Sequence, residues 1–278
     1  MRDRFRLARI DTPERDARLL AERAFAFDAL ALSMAESTDA QPAALDRLDD
    51  LARRRLAGDP VARILGEGEF YGLDFGLNEA TLVPRPETEL LVDLALAAIG
   101  NRPNPTVLDL GTGTGCIPIA ILANAPWARA VAVDLAPDAL RAANANAARH
   151  AVLDRLDLLE GSWFDPLPAG QKFDLIVSNP PYIETAEIAA LAPEVSAFDP
   201  RLALDGGGDG LDAYRTIAMS ALDRLQPGGV LLLEIGSLQA KTVTRLLEAA
   251  GFARIWCHKD LAGLDRVVEA HHLLGVTG

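Results

Sequence analysis

The chain has 278 residues, half of them hydrophobic, and a formal net charge of −13 that results from 27 basic and 40 acidic residues. No stretch reaches the ~18 uninterrupted apolar residues of a membrane-spanning helix. The acidity disfavours a DNA or RNA substrate, because phosphate contacts supply most of the affinity for nucleic acid and require concentrated positive charge. We therefore expect a protein without membrane association and without direct nucleic-acid binding.

Cysteine usage and the start of the chain narrow the class further. Only two cysteines occur, Cys116 and Cys257, and the four histidines form no ligand spacing with them, so neither a disulfide framework nor a metal site is predicted. The charged first six residues are not followed by an apolar segment, so we predict no secretory signal and a cytoplasmic location. The basic cluster Arg53–Arg55 follows several aspartates in a helical pattern and is interpreted as a solvated, salt-bridged face.

Apolar residues recur at helical spacing in the first part of the chain. The predicted helices cover residues 13–36, 42–58 and 60–65. Aromatic and apolar residues then alternate around Gly72, which predicts a hairpin at residues 69–77, and a helix is predicted from Glu87 to Ile99. We therefore expect a small helical domain over residues 1–65 and a β-hairpin linker over residues 66–84.

From Thr106 onward, strands alternate with helices, which is typical of a parallel sheet with helices on both faces. The predicted strands are residues 106–110, 130–134, 156–159, 175–178, 230–235, 253–258 and 266–271. The last two are expected to form an antiparallel hairpin around Gly263. The pattern predicts an α/β domain over residues 85–278, built on a mostly parallel seven-stranded sheet.

A glycine-rich turn follows the first of these strands. Its residues are Gly111, Thr112, Gly113, Thr114 and Gly115. Glycines allow a ligand close to the backbone, the next helix offers free N–H groups, and Asp134 ends the following strand, where a carboxylate can hold ribose hydroxyls. A nucleotide-like ligand is favoured over a bare tight turn, although the spacing differs from that of dinucleotide-binding proteins. Trp163 either flanks an adenine ring or packs in the core.

The strand that begins near Asp174 ends in Asn179-Pro180-Pro181-Tyr182. Prolines cannot donate ladder hydrogen bonds and have a fixed φ, so the strand must stop at Asn179 on a stiff backbone. The amide of Asn179 can accept and donate, the Pro180 carbonyl can accept, and Tyr182 offers a flat apolar face. Together these groups could hold a planar, neutral NH2 group. The alternative is a strand followed by a proline-rich turn with no ligand.

With these motifs in this order, the chain resembles class I S-adenosylmethionine-dependent methyltransferases that act on planar nitrogens. It is most similar to the release-factor glutamine N5-methyltransferase family (PrmC/HemK). The segments that carry the resemblance are Gly66, residues 69–72, 83–89, 107–116, 177–183, 193–195, 200–207 and 260–263. The Asn-Pro-Pro-Tyr motif is shared with adenine-N6 methyltransferases, whereas residues 85–89 and 200–207 single out the glutamine family.

The resemblance implies a Rossmann-like class I methyltransferase domain over residues 85–278 and a substrate-recognition role for residues 1–65. It implies S-adenosylmethionine as cofactor, held by residues 111–115, Asp134, Trp163 and Asn179. Catalysis is assigned to Asn179, Pro180 and Tyr182, and substrate binding to Asn179, Pro180, Pro181, Tyr182, Arg85 and Glu87. Ser162 stands where the family has an aspartate that holds the adenine amino group.

The acceptor that the resemblance implies is the glutamine of the Gly-Gly-Gln motif in class I peptide chain release factors, and we expect a monomeric enzyme. The alternative is a methyltransferase that acts on adenine N6, or on another planar nitrogen, in DNA or RNA. That alternative shares the cofactor and the Asn-Pro-Pro-Tyr motif, but the acidic chain has no basic surface stripe with which to bind nucleic acid.

Overall fold

The computed structural model describes residues 1–35 and 40–273. Glu36, the end of the predicted helical segment 13–36, and residues 274–278, the end of the predicted domain 85–278, lie outside the described residues. The chain forms two compact units, one of Met1–Glu67 with Ala192–Phe198 and the other of Gly68–Leu191 with the chain from Asp199 onward. Within the described ranges, every helix is too short or too polar to cross a membrane.

The first unit is helical. Its helices are α1 (Arg2–Leu7), α2 (Pro13–Phe25), α3 (Ala29–Met34), α4 (Pro42–Leu56) and α5 (Val61–Leu65), and a later segment contributes Pro193–Ser196. The predicted segment 13–36 is divided because Ala26 adopts the left-handed conformation, with φ at 54°. Phe5, Leu20 and Ile64 form part of the core. Sequence patterns did not predict α1, which is short and buries only Phe5.

Arg55 lies in the interior of this unit and not on a solvated face, so the interpretation of Arg53–Arg55 is wrong for this residue. Its guanidinium donates to Asp16 Oδ2 at 2.7 Å and to Glu194 Oε1 at 2.6 Å. The Arg55 and Asp16 side chains are each 7% exposed. Removing one member of such a pair would leave a buried charge uncompensated, which typically costs about 3 to 5 kcal/mol. Glu194 therefore ties residues 192–198 to α4.

The strands of the described residues lie in the second unit, apart from the first residue of the first strand. They are β1 (Glu67–Phe70), which begins one residue before the boundary, β2 (Leu73–Gly76), β3 (Thr106–Leu110), β4 (Arg129–Asp134), β5 (Leu156–Glu160), β6 (Phe173–Ser178), β7 (Leu225–Glu234), β8 (Ala253–Lys259) and β9 (Asp265–His271). Its helices are α6 (Glu89–Ile99), α7 (Cys116–Asn124), α8 (Pro137–Arg149), α10 (Asp212–Arg224) and α11 (Ala240–Ala249), where α9 is Pro193–Ser196. β1 and β2 form a separate hairpin.

The main sheet has the order β5-β4-β3-β6-β7-β9-β8. β3 to β7 pair in parallel, and the last two strands are antiparallel. The predicted seven-stranded, mostly parallel α/β fold with an antiparallel C-terminal hairpin is therefore confirmed. Helices cover both faces, so the central strands are buried on both sides, and Leu108, Ile176 and Leu232 are inaccessible to solvent.

The loop after Arg201 packs along the segment that follows β6. Ile183 N donates to Leu204 O at 3.0 Å, and Gly206 N donates to Ile183 O at 2.8 Å. A β-carbon on Gly210 would lie 2.5 Å from the carbonyl oxygen of Tyr182, and the φ of Gly210 is +69°. The close approach of the two backbones therefore requires glycine at this position.

We predict that Gly210→Ala destabilises the protein more than Gly170→Ala does. Gly170 has a similar φ of +76° but no atom within 4 Å of an added β-carbon, so it isolates the conformational cost. We expect a loss of about 1 kcal/mol in unfolding free energy for Gly170→Ala, and of at least about 2 to 3 kcal/mol for Gly210→Ala, where steric overlap is added. Denaturant unfolding measures both, and equal losses would contradict the close approach.

Candidate active site

A cavity with a volume of about 320 Å³ lies at the carboxyl ends of β3, β4 and β6. The predicted site residues that line it are Arg85, Gly111, Thr112, Gly113, Thr114, Asp134, Trp163, Asn179 and Pro181. The predicted residues that do not line it are Gly115, Pro180, Tyr182 and Glu87. The structure thus brings the glycine-rich turn and the segment after β6 to one cavity, although the two are more than sixty residues apart in sequence.

The glycine-rich turn is open toward a ligand at two of its three glycines. Gly111 and Gly113 have φ values of +74° and +55°, and an added β-carbon would meet nothing within 4 Å at either position. Gly115 differs, because its β-carbon would lie 2.9 Å from Ile119 Cδ1 and 3.1 Å from Ala143 Cβ. We interpret the first two glycines as the ligand cradle and the third as the residue that lets α7 and α8 pack closely.

Asp134 is held in place by backbone amides. Gly113 N donates to Asp134 Oδ2 at 2.7 Å, and Ala136 N donates to Oδ1 at 2.9 Å. Burial raises the pKa of this carboxyl group, and the backbone hydrogen bonds oppose that rise. Each carboxylate oxygen accepts one backbone hydrogen bond and keeps a lone pair, so Asp134 can still accept from the hydroxyl groups of a ligand in the cavity.

Asp109, in β3, is a buried carboxyl group that sequence reasoning did not single out. It is inaccessible to solvent, and among the described residues neither of its carboxylate oxygens has a hydrogen-bond partner. Burial raises the pKa of Asp109 to about 7 against the effect of the neighbouring Thr112 hydroxyl, and the charge of Asp134 adds to the rise. The sequence did contain a signal for Asp109, since it is an acid within an otherwise apolar strand and lies two residues before the first glycine of the turn. Asp109 does not line the cavity, so its charge and not a direct contact could act on a ligand there.

Trp163 and Ser162 lie on the wall of the cavity near β5. Trp163 has a φ of 47° and also packs against the apolar core around β6 and β7. The two alternatives for Trp163 are therefore compatible, since one side of the residue contacts the core and another lines the cavity. Ser162 has a shorter side chain than aspartate and no carboxylate with which to accept a hydrogen bond from an amino group.

Asn179 follows the last residue of β6 and is held by a residue that the sequence did not identify as functional. Its Nδ2 donates to Thr88 Oγ1 at 3.2 Å, and Thr88 is buried in the turn before α6. Beyond it, Pro180 is buried and the ring of Tyr182 is partly buried against the core. Gln239 Nε2 donates to the carbonyl of Tyr182 at 3.0 Å, which fixes the end of the segment.

Glu234, the last residue of β7, is the second functional candidate that sequence reasoning missed. It is 1% exposed, and burial raises its pKa to about 7, while hydrogen bonds from Thr88 and Asn179 and the charge of Arg266 act in the opposite direction. The sequence signal was a single acid at the end of an apolar strand. Burial also raises the pKa of Tyr182 to about 12, so its phenol is neutral near pH 7.

Arg85 and Glu87, which the resemblance assigns to substrate binding, lie in different surroundings. The guanidinium of Arg85 lines the cavity and also donates to Asp199 Oδ2 at 2.6 Å. The Asp199 side chain is 1% exposed, so this ion pair holds Arg85 against a buried partner. Glu87 is partly buried and near enough to Glu234 for its charge to raise the pKa of that residue.

We predict that Asp109→Asn stabilises the ligand-free protein above pH 7. The folded-state pKa of Asp109 is raised from 3.8 to about 7, so the wild type loses stability as the pH rises through this window. The melting temperature of Asp109→Asn should exceed that of the wild type by on the order of 2 °C or more at pH 8, and by less at pH 5. Asp165→Asn, which changes an exposed aspartate, is the control. A pH-independent difference would refute the interpretation.

Two family models match ranges of this chain, and its fold is similar to that of solved methyltransferases. Residues 87–197 match the family model described as the methyltransferase small domain, and residues 1–66 match that of the PrmC N-terminal domain. The fold is similar to that of a methyltransferase from Pyrococcus furiosus, with a TM-score of 0.54, 18% identity, and coverage of 81% of this chain and 99% of that one. It is also similar to the T. thermophilus 16S rRNA N2 G1207 methyltransferase, with a TM-score of 0.52, 21% identity, and coverage of 74% and 49%.

Curated relatives align over almost the whole chain. The release factor glutamine methyltransferase of Cereibacter sphaeroides is 49% identical over 267 residues, which cover 96% of this chain and 94% of that protein. That of Bradyrhizobium diazoefficiens is 44% identical over 274 residues, which cover 97% and 92%. Because relatives this similar span both compact units, the chain belongs to the release factor glutamine methyltransferase family.

Proposed function

We propose that this protein transfers a methyl group from S-adenosylmethionine to the side-chain amide nitrogen, N5, of the glutamine in the Gly-Gly-Gln motif of class I peptide chain release factors. The observation that carries the proposal is that Asn179 and the glycine-rich turn line the same cavity. The names of the relatives support release factors as the acceptor class.

S-adenosylmethionine is the methyl donor, and the residues around the cavity fit it. Gly111 and Gly113 would let it approach the backbone, Asp134 would accept from its ribose hydroxyls, and Trp163 would flank its adenine ring. Asp109 does not line the cavity, but its ionised form would compensate the positive charge of the cofactor. When bound, S-adenosylmethionine supplies a methyl group on a positively charged sulfur, which is activated toward weak nucleophiles.

The chain's own contribution to the reaction is to align the acceptor. A glutamine amide nitrogen is a weak nucleophile because its lone pair is delocalised, so orientation contributes more than proton abstraction. Asn179 Oδ1 and the Pro180 carbonyl would accept the two N–H groups and aim the nitrogen at the methyl group. Tyr182, whose segment is fixed by Gln239, would pack on the amide plane. No histidine or carboxylate is required as a base.

Substrate recognition is assigned to the rim of the cavity and to the helical unit. Pro181 and Arg85 line the cavity, and Glu87 follows Arg85 by two residues. We assign residues 1–65 to recognition of the release factor, residues 66–84 to a linker and residues 85–278 to methyl transfer. The helical unit has its own apolar core and matches the PrmC N-terminal domain, which supports a separate role. The enzyme is assigned as a cytoplasmic monomer.

The acceptor is tested with labelled S-adenosylmethionine and a purified release factor. We expect label on the release factor and none after its Gly-Gly-Gln glutamine is changed to alanine. Transfer RNA, ribosomal RNA and DNA serve as parallel acceptors, and label on any of them instead of the release factor would support the adenine-N6 or another planar-nitrogen alternative. Label that survives the Gln→Ala change would contradict the proposed acceptor.

Asn179→Ala should slow methyl transfer far more than it weakens cofactor binding. The contact of Asn179 with the acceptor nitrogen tightens in the transition state, and loss of such a contact typically lowers the rate ~10² to 10³-fold. Tyr182→Phe should have a smaller effect than Tyr182→Ala, because the ring and not the hydroxyl makes the contact. Single-turnover rates on a release factor measure these effects. A near-normal rate in Asn179→Ala would exclude a catalytic role for Asn179.

Asp134→Ala, unlike Asn179→Ala, should mainly weaken cofactor binding. Its carboxylate would hold the ribose, so we expect affinity for S-adenosylmethionine to fall at least about tenfold, which corresponds to about 1.4 kcal/mol. Isothermal titration calorimetry measures the affinity, and the thermal melting curve confirms that the variant is folded. Unchanged affinity in a folded variant would exclude Asp134 from the cofactor site.

A further inference from the structure

Asn179 and Glu234 lie side by side at the carboxyl ends of two neighbouring strands, β6 and β7. β6 and β7 pair in parallel with Ser178 opposite Leu233, so the next residues, Asn179 and Glu234, are at the same level. Asn179 lines the cavity, whereas Glu234 is buried and does not line it. The pair therefore consists of an amide at the cavity surface and a carboxyl group that solvent does not reach.

Thr88 connects the two groups. Asn179 Nδ2 donates to Thr88 Oγ1 at 3.2 Å. Thr88, and more weakly Asn179, lie close enough to the Glu234 carboxyl group to lower its pKa against the effect of burial, and among the described residues Glu234 Oε2 has no hydrogen-bond partner. Thr88 is 2% exposed, so water does not replace it as a hydrogen-bond partner. The three side chains lie in a row from the cavity to the interior, and Glu234 Oε2 keeps its capacity to accept, so a hydrogen bond from Thr88 to Glu234 would complete a chain of hydrogen bonds.

The Glu234 carboxylate determines which group donates and which accepts in each hydrogen bond between Asn179, Thr88 and Glu234. A hydroxyl group can donate one hydrogen bond and also accept, whereas a carboxylate can only accept. When Glu234 is ionised, the Thr88 proton is directed at Glu234, and Thr88 Oγ1 is left to accept from an amide NH2 group. The NH2 group of Asn179 is thereby held at Thr88, and its oxygen, Oδ1, is left for the cavity.

We propose that Glu234 is a positioning residue that acts through Thr88 to keep Asn179 Oδ1 turned toward the methyl acceptor. The inference rests on the proposed function, in which Oδ1 accepts an N–H of the acceptor amide. A reversed Asn179 amide would present its NH2 group to the NH2 group of the acceptor, and neither donor could be satisfied. Glu234 itself neither touches the acceptor nor takes its proton.

The charged groups around Glu234 define the pH range in which the carboxylate exists. Burial raises the pKa of Glu234 to about 7, Arg266 on β9 favours the ionised form, and Glu87 opposes it. The other titratable groups that interact with it are Tyr182, Tyr214 and Cys116, whose pKa values burial raises, so they are neutral in this range. The chain of hydrogen bonds is therefore directed above pH 7 and loses its direction as Glu234 gains a proton below it.

Three substitutions test the proposal on the full-length protein. Glu234→Gln keeps the shape of the side chain without its charge, Thr88→Val removes the hydroxyl group, and Thr88→Ser keeps it. We expect Glu234→Gln and Thr88→Val to lower the single-turnover rate at saturating S-adenosylmethionine at least about tenfold and to change cofactor affinity less than about twofold. Thr88→Ser should retain most of the wild-type rate. A loss of rate in Thr88→Ser equal to that in Thr88→Val would contradict a role for the hydroxyl.

Two readouts separate positioning from a merely structural role. The wild-type rate should rise between pH 6 and pH 8 with a midpoint near 7, and this step should be absent in Glu234→Gln. In a protein that already carries Asn179→Ala, Glu234→Gln should cause little further loss, because both changes disable the same contact. Additive losses, or an unchanged pH profile in Glu234→Gln, would overturn the proposal.

A third readout needs no acceptor. The NMR signal of the Asn179 side-chain NH2, assigned by its absence in Asn179→Ala, should exchange slowly with solvent in the wild type and in Thr88→Ser. It should exchange faster in Glu234→Gln and Thr88→Val, and equal rates in all four proteins would refute the relay. If the wild type fails to methylate a release factor, the proposed function is wrong. The exchange measurement would still show whether Glu234 orients Asn179 through Thr88. If melting curves show that Glu234→Gln is unfolded, the comparison of Thr88→Val with Thr88→Ser tests the proposal instead.

Discussion

The parallel pairing of β3, β6 and β7 brings the carboxyl ends of three buried strands to one edge of the sheet. Leu110 is opposite Ser178, and Ser178 is opposite Leu233, so the residues that follow these three align in a row. Apolar side chains fill the strands, and Asp109, Asn179 and Glu234 occur only where the strands end or are about to end. The register of the sheet therefore decides that Asn179 reaches the cavity while Asp109 and Glu234 are buried near it, since a shift by one residue would turn each side chain to the other face.

The buried acids at this edge of the sheet lower the stability of the folded protein. Asp109 and Glu234 are both buried, and desolvation raises the pKa of each to about 7. Natural proteins retain such groups where they act on a ligand or position another side chain, because a neutral replacement of similar shape would be more stable. In our interpretation Asp109 offsets the positive charge of the cofactor and Glu234 directs an amide, so stability at neutral pH is lower than the fold alone would permit.

Close backbone contacts hold the end of the Asn-Pro-Pro-Tyr segment, and an ion pair holds Arg85 at the wall of the cavity. Gly210 lets the loop that precedes α10 approach the carbonyl of Tyr182, and Gln239 bonds to the same carbonyl. Arg85 is anchored on the buried carboxylate of Asp199. The contacts of Gly210 and Gln239 restrain Tyr182 at the end of the Asn-Pro-Pro-Tyr segment, which lowers the cost of ordering the segment when an acceptor binds.

Local sequence determined much of this protein. Periodicity and proline and glycine positions were enough for the order of the strands along the chain and for the glycine-rich turn next to Asp134. The Asn-Pro-Pro-Tyr motif was recognisable because prolines restrict the backbone locally. Tertiary structure alone decided that Arg55 is buried, that Gly115 packs α7 on α8, and that Thr88 and Glu234 meet Asn179. Burial and hydrogen-bond partners depend on residues distant in sequence, and a threonine or a glutamate carries no local mark of the partner that folding brings to it.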